Sequence, residues 1–300
     1  MNSDFLQAII KNNYKIPEEY TVAEITPHLI SNLGSTQSDV REPSYMVLCD
    51  LINAGVGVNY SPAQLREIKE QMTRNLTYGI GEKASDSVFV RAFSILVLDK
   101  LIAIDGKDPY LTESEIRELL EQGLVYLAAE KDLRGQVPQK GWAHAIAHAA
   151  DFFWVITRNR FLDAEDLKRI LNAISDKVTE PVAHTYLYQE DDRLAQAVIS
   201  ALLRNLLDMA FLNTWLARFV DPPSGIVWRE SFSDETSVSA RHNTVTFLRS
   251  LYFQLLLGIQ YVHPTYTNKV PAMRDELLSE ITSTLKAIDH WVYPSTQGQK

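Results

Sequence analysis

The stretch Ser61-Pro62-Ala63-Gln64-Leu65-Arg66-Glu67-Ile68-Lys69-Glu70-Gln71-Met72-Thr73-Arg74-Asn75-Leu76 decides the fold class. Leu65, Ile68, Met72 and Leu76 recur at spacings of three and four, which stacks them on one face of an α-helix. Ser61 before Pro62 marks the helix start: the hydroxyl can accept from an orphan amide, and proline at the first helical position gives up no needed donor. The pattern repeats along the chain. Ile116, Leu119, Leu120, Leu124 and Leu127 keep helical spacing behind the capping box Thr112-Glu113-Ser114-Glu115. Asp163-Ala164-Glu165-Asp166 sets carboxylates against the positive end of a further helix. Strand-like alternation is scarce.

These signals predict an all-α chain with helices near 3–13, 22–33, 39–54, 62–77, 84–104, 113–130, 142–158, 164–178, 187–204, 205–219, 237–260 and 270–290. From residue 39 the helices pair, and successive pairs begin roughly 40 to 55 residues apart, the rhythm of HEAT and armadillo repeats. The expected architecture is therefore stacked helical hairpins, an α-solenoid (α-α superhelix), forming one helical-repeat domain over residues 1–300. Strict sequence repetition is not visible. The one stretch that forbids helix, Asp221-Pro222-Pro223-Ser224-Gly225, reads as a long inter-helix turn.

Composition narrows the function. Apolar residues make up 46% and charged ones 22%, which is the range of an ordered globular chain. The net charge of −9, without any Lys/Arg run, argues against nucleic acid as a partner. Met1 to Asn13 lacks the charged and apolar regions of a signal peptide, so secretion is not expected. The most apolar run, Leu251 to Val262, is interrupted by Gln254 and Gln260 and is too short for a bilayer. A soluble cytoplasmic protein with no membrane partner follows. The single cysteine, Cys49, permits no intramolecular disulfide and reads as a small buried hydrophobe.

The chemistry concentrates in Gly141-Trp142-Ala143-His144-Ala145-Ile146-Ala147-His148-Ala149-Ala150-Asp151. At about 100° per residue, His148 falls roughly 40° from His144 and Asp151 roughly 20° to the other side, so the three share a helix face. The rest of that helix is apolar or small, which places the polar ridge in a shielded position that needs partners. Glu130, Asp132 and Arg134 alternate just upstream, and alternation in extended chain points them the same way. Glu190-Asp191-Asp192-Arg193 opens a later helix with Glu190 and Arg193 on one face, beside alanines that admit a close neighbour.

Two readings of this set compete. In one, His144, His148 and Asp151 ligate a divalent zinc, manganese or iron ion, with Glu130 or Glu190 as general base of a metal-assisted hydrolase. Ala145 stands where the metalloprotease motif has its glutamate, so that motif does not match. In the other, the histidines bond to neighbouring carboxylates and fix how helical pairs dock. His184 lies in a turn, where a lone histidine is usually solvated; His242 reads as a capping or surface residue, and His28, His263 and His290 carry no spacing signal. No Gly-rich phosphate loop and no nucleophile elbow is present, and Asp50 beside Cys49 would raise its pKa, which removes phosphoryl-transfer and thiol chemistry.

Glu130-Lys-Asp132-Leu-Arg134-Gly135, the Gly141–Asp151 motif and Glu190-Asp191-Asp192-Arg193-Leu194 resemble a bacterial family of unknown function, domain-of-unknown-function family 2785. Two weaker echoes are Leu33-Gly34-Ser35 leading to Asp39-Val40-Arg41, and Phe89-Val90-Arg91-Ala92-Phe93-Ser94. Together they span about residues 30 to 200. Ala92 departs from the serine usual there, and Pro43 after Arg41 is a second departure. The resemblance implies an all-helical, HEAT-like fold in a bacterial cytosolic protein and brings no activity with it.

The reading that follows is a helical-repeat binding or scaffold protein. Its polar pocket would be drawn from Glu130, Asp132, Arg134, Trp142, His144, His148, Asp151, Glu190, Asp192 and Arg193, for a small molecule, peptide or protein partner. The metal-assisted hydrolase and a purely structural network are its rivals.

Overall fold

The computed structural model describes residues 1–259 and 270–293. Gln260 to Val262 of the apolar run, and His263, lie outside the described residues. The described chain is all-α apart from one two-residue hairpin. In order it runs α1 (Ser3–Lys11), α2 (Val22–Asn32), α3 (Ser38–Asn53), α4 (Pro62–Asn75), α5 (Ser87–Asp105), α6 (Glu113–Ala129), β1 (Gln136–Val137), β2 (Gly141–Trp142) and α7 (Ala145–Ile156). Then follow α8 (Ala164–Val178), α9 (Glu190–Leu202), α10 (Met209–Val220), a 3-10 segment (Trp228–Ser233), α11 (Glu235–Leu257) and α12 (Arg274–Ile288). No helix among the described residues is long and apolar enough to cross a membrane.

The caps explain why the helices start where they do. Ser61 with Gln64, Thr112 with Glu115 and Asp163 with Asp166 each form a reciprocal capping box, and Thr21 with Glu24 adds one that periodicity alone did not single out. Five starts fall three or four residues later than expected: the helices expected from 84 and from 270 begin at Ser87 and Arg274, and three others shift for visible reasons. The helix expected over 142–158 begins at Ala145, because Gly141 and Trp142 are drawn into β2, which pairs antiparallel with β1. The one expected over 187–204 begins at Glu190 behind Gln189, whose φ is 66°. The one expected from 205 begins at Met209, since Asn205 takes a φ of 54° and the Asp208 side chain caps the following turn.

The chain divides into two compact units, Met1–Phe161 and Leu162–Lys300, and Asp221–Gly225 lies within the second. In the first unit α1, α3, α5 and α7 pack in a row, while α2, α4 and α6 each lie against the helix that follows. α5 is buried on nearly every side, so its interior carries Arg91, Asp99 and Asp105 as well as apolar residues. α6 meets α7 closely where Gly123 faces the Phe152 ring; a Cβ there would collide with the ring. In the second unit α8, α10 and α12 form one row and α9 packs on α11. Trp215 donates its indole N–H to the Leu171 carbonyl at 2.8 Å, tying α10 to α8, and Phe219 stacks on Phe247 at 5.6 Å, tying α10 to α11.

Candidate functional site

Arg91 is the centre of the polar structure in the first unit. It sits in the apolar run Val88-Phe89-Val90-Arg91-Ala92-Phe93 of α5 and is fully buried. A buried guanidinium needs acceptors on all sides. It finds them in Glu130, gripped by Nε at 2.7 Å and Nη2 at 3.0 Å, and through Nη1 in the Tyr78 and Gly79 carbonyls and the Ser87 hydroxyl at 2.7, 2.9 and 2.8 Å. Glu130, also fully buried, caps the end of α6 in extended conformation, and its Oε1 further accepts the Asp132 backbone N–H at 2.9 Å. Both charges are thus desolvated together in a bidentate pair.

Asp132 and Arg134 continue the same chain of contacts. Arg134 grips the buried Asp132 carboxylate through Nε at 2.7 Å and Nη2 at 2.6 Å. Nη2 also donates to the Ser85 carbonyl at 2.9 Å, and the Ser85 N–H donates to Asp132 at 3.2 Å. The expected alternation therefore does bring Glu130, Asp132 and Arg134 into one network, and its anchor is the start of α5.

The hairpin and the histidines follow directly. The Ala143 and His144 amides donate to the Gly135 and Arg134 carbonyls at 2.9 and 3.0 Å, which commits the backbone to strand-like pairing and delays the helix. His144 is the N-cap of α7, at φ 56° and ψ 32° in the left-handed region, instead of lying inside the helix. Its carbonyl accepts the His148 N–H at 3.0 Å, and its ring stacks on Trp142 at 4.9 Å and meets the His148 ring edge-on at 5.6 Å. His148 Nδ1 lies 3.0 Å from the Ala92 carbonyl, an acceptor, so Nδ1 carries a proton and donates it there. Ala92 of α5 thus touches the motif through its backbone.

A second buried arginine holds the hairpin from the other side. Arg41 of α3 donates to the Ser35, Lys140 and Trp142 carbonyls at 2.5, 2.6 and 3.1 Å and lies over the Phe89 and Phe93 rings at 4.1 and 5.1 Å. Burial lowers its pKa to about 10. Both arginines belong to the weaker motif echoes, and neither is among the expected pocket residues. The signal that could have found them is an arginine within helical segments whose neighbouring positions are apolar.

Burial raises the Tyr45 hydroxyl most, and Asp151, further along α7, is near enough for its charge to add a little to that and to the rise of Lys100. Burial pulls Lys100 down, but Asp99, in contact at 2.8 Å, outweighs it. Cys49 is buried one turn from Tyr45, and burial, followed by Asp99, pushes its thiol up. Among the described residues no three His, Cys, Asp or Glu side chains are gathered into a group that could hold a metal ion, so His144, His148 and Asp151 do not form one.

Glu190, Asp192 and Arg193 belong to the second unit. Glu190 accepts the Tyr188 N–H at 2.7 Å, and burial raises its carboxyl. Asp192 joins α9 to α11, accepting the Ser250 hydroxyl at 2.6 Å on its carboxylate and Gln254 Nε2 at 3.0 Å on its backbone carbonyl. Arg193 donates its backbone N–H to the Gln189 carbonyl at 3.1 Å. His184 is half-buried where solvation was expected, because Asn243 holds its segment through the His184 carbonyl at 3.0 Å and the Tyr186 N–H at 2.8 Å. His28, His242 and His290 are exposed.

The fold is all-helical, and Glu130, Asp132, Arg91 and Arg134 of its motifs are bonded to one another and to backbone. The family described as a protein of unknown function (DUF2785) matches residues 76–253, more than half of the chain, and the protein belongs to that family. No curated protein and no solved structure matches the chain.

Proposed function

We propose that the chain is a helical-repeat binding protein of the HEAT and armadillo kind, working in the cytosol, in which the polar motifs hold successive hairpins in register and the surface recognises a partner. In support, α3, α5 and α7 stack in a row with α2, α4 and α6 paired onto them, as repeated hairpins would. The observation that carries the reading is the engagement of Glu130. Both its oxygens accept from Arg91, and one also takes the Asp132 N–H. A general base has to reach a water or substrate proton, whereas this carboxylate is fully buried beneath its own cation.

The test is metal content, by mass spectrometry, of untagged protein prepared without chelator, beside a His144→Ala/His148→Ala variant. The expected result is no stoichiometric metal in either and a lower melting temperature in the variant, because the Ala92 carbonyl loses its donor. Near-stoichiometric zinc, manganese or iron that vanishes in the variant would overturn the reading in favour of the metal-assisted hydrolase.

A further inference from the structure

We draw no further inference here: the strongest candidate, the side-chain cluster about the α8–α9 connection in which the charges of Glu190, Glu180 and Asp191 reach the buried Tyr186 phenol, is an acidic cluster whose tyrosine hydroxyl is sealed from solvent, so nothing in the structure points to a ligand there.

Discussion

Arg91 and Glu130 face each other in a bidentate pair with neither side chain exposed, one from the interior of α5 and the other from the end of α6. Removing one partner strands the other charge in the core, at a cost of about 3 to 5 kcal/mol. Arg91→Met and Glu130→Gln are each expected to lose that much in urea unfolding. The double variant Arg91→Met/Glu130→Leu should recover a good part of it, since desolvation is no longer charged against either group. A loss in Arg91→Met and in the double variant that Glu130→Gln does not share would show that the worth of the site lies in the contacts of Arg91 to the Tyr78 and Gly79 carbonyls.

The docking of the hairpin can be tested independently through Arg41 and Gly141. Gly141 has a φ of 75°, and a Cβ there would stand 2.6 Å from Ser38 Cβ and 3.2 Å from Arg41 Nη2. Gly141→Ala therefore combines backbone strain with a clash against α3, about 1 to 3 kcal/mol. Arg41→Lys keeps the charge but cannot span three carbonyls, and bonds from a charged donor are worth about 1.5 to 3 kcal/mol. Both variants should melt earlier than the parent. A Gly141→Ala protein as stable as the parent would mean that the hairpin does not rest on α3 in solution.

The helices were legible from their apolar period, and α4, α6 and α8 from a capping box as well. Ser61, Thr112 and Asp163 announced their helices from within four residues. The long-range partners were not legible. Arg41 and Lys140 are ninety-nine positions apart, and Arg91 and Glu130 thirty-nine. No local rule links them, although an arginine amid apolar helical spacing signals that some acceptor must come. The placement of His144 failed for a related reason: helical phase presumes a continuous helix, and a left-handed cap at His144 ended that continuity before the helix began. The alternation of Glu130, Asp132 and Arg134 was readable, being local.

Glu115 governs the acid limit of the first unit. It accepts from Lys69 at 2.8 Å, Arg66 at 3.0 Å, and the Thr112 N–H and hydroxyl at 2.9 and 3.0 Å. Burial pushes its carboxyl up, but the bonds to Lys69 and Thr112 outweigh that and bring it from 4.5 down to about 2. A folded-state value below the unfolded one gives stability that is complete above the unfolded value and is lost as pH falls through the folded value. The window is therefore pH 4.5 to about 2. Glu115→Gln should cost on the order of 2 kcal/mol at pH 7, after discounting for partial solvent access, and should flatten the acid limb. Urea unfolding at pH 7, 4 and 3 reads both.

Cys49 offers a probe of the α3, α5 and α7 row that needs no added label site. Its thiol is buried and pushed up first by burial and then by the Asp99 carboxylate, with Lys100 and Tyr45 only partly offsetting them. The thiolate is the reactive form, so native protein should resist iodoacetamide at pH 8 and react fully in urea. Reaction in the native state then requires α3 to part from its neighbours, and its rate reports that opening. Glu130→Gln, which strands Arg91 on the adjoining α5, should speed labelling by tenfold or more, whereas Glu67→Lys/Glu70→Lys on the exposed face of α4 should leave it within twofold. Intact mass against time distinguishes the cases. Fast labelling of the parent would mean that this row opens without global unfolding, and that the polar network does not hold it shut.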